Sequence, residues 1–174
     1  GDVALALLRE VPLWSGILPP DALWWGQTKE GPVVALWRPP RVWPVALQTE
    51  PLKPPRRLRL PMPGLIFLCQ PGRPPRVYAA KRRPRRPADA VYHAPLFNVF
   101  HDGRSCPGTH HYPEDIGEVP ESFFQSFFSP TGDHANRSQS HPKDLLCLWE
   151  ELDGRRRYPL HDLVPFGKVE DIMK

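Results

Sequence analysis

Short apolar blocks separated by Gly and Pro dominate the first half of the chain, and the texture changes after residue 112. Six runs rich in β-branched or aromatic side chains cover 22–27, 32–38, 42–48, 56–61, 64–70 and 75–81. Such runs, repeating at roughly ten-residue intervals between turn-forming residues, predict an antiparallel β-meander. The run GLIFLC, residues 64–69, is apolar throughout, which marks a central strand buried on both faces. The opening GDVALALLRE has helical composition but is too short for periodicity to decide.

Beyond residue 112 the spacing turns helical. VPESFFQSFF places Phe123, Phe124, Phe127 and Phe128 on one face of a helix, with Pro120 in its first turn. A polar loop covers 129–140. In the next helix Ser140 is the expected cap, and Leu145, Leu148, Trp149 and Leu152 are the apolar stripe. Asp153-Gly154 ends it. The tail after Gly154 shows no strong periodicity. Strands followed by helices predict an α+β fold with helices packed on one sheet face.

Composition sharpens this picture in three ways. The 174 residues, 40% of them hydrophobic and six of them tryptophan, suit one domain with a real core, spanning 1–174. Its expected parts are strands over 22–81, a loop over 95–113 and helices over 114–174. The 25 prolines, including Pro39-Pro40 and Pro54-Pro55, fall between apolar runs and punctuate short strands. The chain opens on Gly1 rather than methionine, so its natural start is expected upstream. No run of about 18 apolar residues suggests a membrane span. Three scattered cysteines argue against a disulfide scaffold, making a reducing cytoplasm the expected setting.

Charge is uneven. Residues 1–101 carry 15 Lys/Arg against 6 Asp/Glu, and residues 102–174 carry 8 against 13. The densest basic run, 73–87, includes Arg82, Arg83, Arg85 and Arg86. It reads either as a solvated loop or as a surface for nucleic acid or an acidic protein.

The chemistry concentrates in PLFNVFHDGRSCPGTHH, residues 95–111. A cysteine attacks as its thiolate, and attack on an acyl carbonyl creates an oxyanion. An amide donor nearby stabilises that charge by about 3 kcal/mol. Asn98 carries such an amide, and the Asp102-Gly103 turn pair is placed to fold it back towards Cys106. Pro107-Gly108 would hold the thiol on a rigid loop.

These residues resemble the ubiquitin-conjugating enzymes. In that superfamily a meander sheet is followed by a His-Pro-Asn motif and a cysteine eight residues after the asparagine, with a glycine three residues before the cysteine. Asn98, Gly103 and Cys106 reproduce the spacing, and Leu96-Phe97 stand where the motif has His-Pro. The wider run through VPESFFQSFFSPTGD, HPKDLLCLWEELDG and YPLHDLVPFG is similar to prokaryotic family D of the superfamily, which includes a component of the plasmid-associated PRTRC system. The resemblance covers roughly residues 60–167.

It implies a UBC-like fold and a thioester carrier. Cys106 would receive the C-terminal acyl group of a ubiquitin-like β-grasp protein from a ThiF-like E1 activating enzyme and pass it to an amine. Asn98 would stabilise the oxyanion. The family's acidic residue near the thiol would be Asp133 or Asp102. No metal or nucleotide cofactor is implied.

Other readings stand beside this one. Cys106 with His110 or His111 fits a cysteine hydrolase, and His101 and His134 would extend a zinc site, although no Cys-x-x-Cys pair supports one. A binding module with an idle thiol fits the loss of the motif's histidine. Cys69 and Cys147 read as structural.

Overall fold

A computed structural model describes residues 17–173, so the helical reading of the first ten residues lies outside the described part. The α+β class expected from the sequence is the one observed. Nine strands appear: β1 Ala22–Thr28, β2 Gly31–Arg38, β3 Arg41–Leu47, β4 Arg56–Met62, β5 Gly64–Cys69, β6 Arg76–Ala80, β7 Ala90–His93, β8 Phe127–Phe128 and β9 Pro165–Lys168. Three helices accompany them: α1 Val119–Gln125, α2 Leu145–Leu152 and α3 Val169–Ile172.

An antiparallel sheet of order β1-β2-β5-β6-β7-β9 forms the body. β3 and β4 fold out of it as a second sheet, in which β8 pairs with β3 in parallel. The cause is local. Arg38 pairs with Leu65 and Arg41 pairs with Met62, so one long hairpin keeps its register across a break. Pro39-Pro40 lies at that break, and proline has no N–H for the ladder. Opposite it, a Cβ on Gly64 would overlap the Trp37 ring, so only glycine lets the ring lie there. β5 is central, and all six of its residues are buried.

The two sheet faces carry separate cores. One joins Leu36, Leu65 and Phe67 to Phe123 and Phe124 of α1 and Leu148 and Trp149 of α2. The other gathers Trp37, Ile66 and Tyr78 under Val169 and Ile172 of α3. The two helices read from the sequence therefore share a face, while the tail that lacked periodicity supplies β9 and α3.

Three expectations need correction. The four phenylalanines do not share a helix. Ser126 ends α1, its Oγ donating to the Phe123 carbonyl at 2.6 Å, and Phe127-Phe128 continue as a strand. Phe123, Phe124 and Phe128 are core, whereas Phe127 is 61% exposed. The cap of α2 is Asp144, which accepts from the N–H groups of Leu146 and Cys147, because Ser140 lies too far upstream to reach them. Cys147 is exposed rather than packed; its thiol lies 3.1 Å from the Asp144 carboxylate, and that hydrogen bond, ahead of burial, raises its pKa. Cys69 is buried as read, and burial pushes its thiol far up.

Candidate active site

The 98–106 segment is a tight hairpin. The Cys106 N–H donates to the Asn98 carbonyl at 2.7 Å, and the Phe100 N–H donates to the Arg104 carbonyl at 2.7 Å. The turn that closes it is the Asp102-Gly103 pair. Gly103 has φ 88°, and a Cβ there would run into the Tyr78 ring, so glycine is required on both counts. Strand β6 anchors the hairpin from below: the Val77 N–H donates to the Gly103 carbonyl, and Tyr78 Oη donates to the Asp102 carbonyl at 2.7 Å. Ser105, buried, donates from N and Oγ to the Pro75 carbonyl. Cys106 follows it and is exposed.

Asn98 sits in the left-handed region at φ 64°, a conformation that asparagine tolerates better than other non-glycine residues. Its carboxamide reaches across to the segment after α1. Nδ2 donates to the Phe127 carbonyl at 2.7 Å, and Oδ1 accepts from the Ser129 N–H at 3.2 Å. One amide N–H and the amide oxygen are thus engaged with the segment after α1. Asn98 and Cys106 line a cavity of about 430 Å³. The rest of its lining is Phe123, Gln125, Ser126, Phe127 and Ser129, together with Pro107 to His110 and Tyr112. Phe127, on the rim, is the exposed aromatic that the sequence assigned to a helix face.

The Leu96-Phe97 pair explains how Asn98 is held without the motif's histidine. Both side chains are buried, Leu96 completely. Phe97 meets Trp149 edge-on at 4.7 Å, and Trp149 Nε1 donates to the Pro95 carbonyl at 2.9 Å. Packing against α2 braces the loop.

A second brace is Arg137, which no motif or spacing in the chain singled out. It is 1% exposed. Its guanidinium faces His93 Nδ1 at 3.2 Å and His101 Nδ1 at 3.3 Å and donates to the Val99 carbonyl at 3.1 Å, next to Asn98. The two histidines can accept from a cation only while neutral. Burial first, then the charges of Arg137 and His101, push the His93 pKa down to about 4. The unfolded chain, with a histidine pKa of about 6.5, thus binds a proton that the folded chain refuses. His93 contributes stability above about pH 6.5, and that contribution is lost as pH falls towards 4. Urea unfolding at pH 7 and pH 4.5 is expected to differ by about 2 kcal/mol from this group. His93→Asn, which keeps an acceptor near the Nδ1 position, should flatten the difference; an unchanged acid sensitivity would exclude His93 as its source.

Asp102 and Asp133 do not line the cavity that contains Cys106. The Asp102 carboxylate accepts from Arg104 Nε at 2.6 Å and from the Arg104 N–H at 3.0 Å. Asp133 Oδ1 accepts from the Ala135 N–H at 3.0 Å. Of the two adjacent histidines, His111 is exposed and His110 half-buried, with His110 Nε2 2.9 Å from Ser122 Oγ. Burial first, and then the neighbouring Cys106, push the Tyr112 phenol up to about 12. His101 faces Arg137, and His134 Nε2 meets the Thr131 carbonyl at 2.8 Å. Among the described residues no three His, Cys, Asp or Glu side chains gather as a metal site.

Arg82, Arg83, Arg85 and Arg86 lie exposed in the β6–β7 turn around a cavity of about 460 Å³ that also includes Asp89. They follow the C-terminal end of β6, whereas the Cys106 hairpin bonds to Pro75 and Val77 near its start. Among the described residues no helix is long and apolar enough to cross a membrane.

The model of prokaryotic E2 family D matches residues 8–166 of the chain. No curated protein and no solved structure matches it significantly.

Proposed function

The chain belongs to prokaryotic E2 family D, and from that premise we propose that it is a thioester carrier for a ubiquitin-like protein. Membership supports a role in conjugation by ubiquitin-like proteins, together with E1-like enzymes in general. The curled antiparallel sheet with α1 and α2 on one face suits the UBC-like fold of that superfamily. One observation carries the finer reading: an exposed cysteine is hydrogen-bonded through its backbone to an asparagine that lines the same cavity.

In this reading the Cys106 thiolate attacks the activated C-terminal carbonyl of a β-grasp protein delivered by a ThiF-like enzyme. A thioester forms, and the adenylate leaves. An amine later attacks the thioester carbonyl, and the oxyanion takes the free N–H of Asn98. Incubation with the β-grasp protein, the activating enzyme and ATP should give an adduct, seen by intact mass, that thiols release. Cys106→Ala abolishes it and Cys106→Ser retains it as an ester; an adduct surviving in Cys106→Ala would reject the assignment.

A second reading has one observation in its favour. The Asn98 carboxamide already stitches Phe127 and Ser129 to the hairpin, which is what a purely structural asparagine would do. The chain would then be a binding module, with the exposed Arg82, Arg83, Arg85 and Arg86 as a surface for an acidic partner such as nucleic acid or a component of a PRTRC-type plasmid system. Partner affinity unchanged by Cys106→Ala, with no adduct, would support it.

A further inference from the structure

Deepening the carrier reading, and resting on it, we infer that His110, oriented by Ser122, is the base that takes the proton from the attacking amine. An amine is mostly protonated at neutral pH, and once it attacks it must lose a proton before the new C–N bond is secure. A side chain in that role has to border the space where the amine arrives. Apart from Cys106 itself, the titratable side chains lining the Cys106 cavity are His110 and Tyr112. The carboxylates expected to serve lie elsewhere, Asp102 paired with Arg104 and Asp133 capping its own turn.

Tyr112 is unsuited to accept the proton. Its phenol is buried, and burial holds its own proton well past neutrality. His110 is suited. Its Nε2 is 2.9 Å from Ser122 Oγ. With Nε2–H donating to that hydroxyl, the lone pair rests on Nδ1, which makes no hydrogen bond among the described residues. The Tyr112 ring meets the imidazole edge-on at 4.9 Å and restrains its tilt.

Ser122 is held firmly in turn. It lies on α1, which Arg38 ties to β2: Arg38 Nε and Nη2 each donate to the Glu121 carboxylate at 2.8 Å, and Nη2 donates to the Gly117 carbonyl at 2.9 Å. The charged or titratable groups around His110 are Cys106, His111, Tyr112 and Glu114 from its own loop. From α1, Ser122 makes the contact, while the neighbouring Glu121 is neutralised by Arg38.

The amine nitrogen bonds to the thioester carbonyl carbon, and the carbonyl electron pair moves onto oxygen at Asn98. Nδ1 of His110 takes one proton from nitrogen. The C–S bond breaks with its electron pair going to Cys106 Sγ, the carbonyl reforms, and the imidazolium returns its proton to the thiolate. An amide and a free thiol result.

The test needs no identified partner. Cys106 of the full chain is acylated by exchange with a short peptide thioester, and discharge is followed by intact mass with free lysine or hydroxylamine as acceptor. Hydroxylamine is far less basic than lysine, so the cationic nitrogen formed when it attacks is acidic enough to lose its proton to water without a side-chain base. His110→Gln should slow discharge to lysine by about 10²-fold and leave discharge to hydroxylamine unchanged. Ser122→Ala should slow the lysine reaction, and Ser122→Thr should restore it. Lysine discharge at the wild-type rate in His110→Gln, with normal hydroxylamine discharge, overturns the assignment and leaves the carrier reading standing. Slower loss to water alone also overturns it and favours a hydrolase. Absence of the ATP-dependent adduct on Cys106 defeats the carrier reading, and this assignment with it.

Discussion

Asn98→Ala is expected to slow discharge of an acyl group from Cys106 by about 10²-fold, the loss typical of one oxyanion donor. Besides the lost bonds to Phe127 and Ser129, two effects are mixed in that variant, and they can be separated. The first is the lost N–H at the carbonyl oxygen. The second is strain, because alanine at φ 64° costs about 1 kcal/mol or more. Asn98→Gly removes the donor without the strain. Both variants should discharge slowly, whereas in urea the alanine variant should be less stable than the glycine variant by about 1 kcal/mol. Asn98→Asp keeps the shape but sets a carboxylate against the Phe127 carbonyl, so it should lose both rate and stability. Wild-type discharge in Asn98→Gly would mean that the carboxamide only stitches the loops.

What the sequence revealed depends on how local each cause is. The six strands before residue 81 were legible because Gly and Pro bound each of them. The pairing of β2 with β5 was not, since it depends on a hairpin breaking at Pro39-Pro40 while keeping register over more than twenty residues. The approach of Asn98 to Cys106 was legible for the same reason as the strands: eight residues with Asp102-Gly103 in the middle close on themselves. The partners of that hairpin were hidden. Arg137 reaches His93 across 44 residues, and Trp149 reaches the Pro95 carbonyl across 54. Neither distance leaves a periodic trace. The phenylalanine run misled because helical spacing says nothing of a terminator, and here Ser126 and the Asn98 carboxamide together draw Phe127 into a strand. His110 and Ser122 lay in plain view, twelve residues apart, but only the placement of α1 beside the cysteine loop joins them.

Restoring the superfamily motif should damage this protein rather than improve it. In Leu96→His/Phe97→Pro the Phe97 ring is lost from its contact with Trp149, and a polar ring enters a site where Leu96 has no exposure. Removing a buried phenylalanine typically costs about 3–5 kcal/mol, and burying an unpartnered polar group adds about 1–3 kcal/mol. Set against a total stability of about 5–15 kcal/mol for ordinary domains, the double variant should be barely folded at 37 °C. The urea midpoint is the measurement, with Phe97→Leu as the milder control. That control keeps an apolar filler and should lose only about 1–2 kcal/mol. Proline itself is not the cause, because no hydrogen bond from the Phe97 N–H is seen among the described residues. If the double variant unfolds at the wild-type urea concentration, packing against α2 does not hold the loop. If instead it is destabilised far more than Asn98→Gly, which loses only the bonds to Phe127 and Ser129, the two predictions together separate brace from chemistry: Leu96 and Phe97 set where the carboxamide sits, and Asn98 sets what it does there.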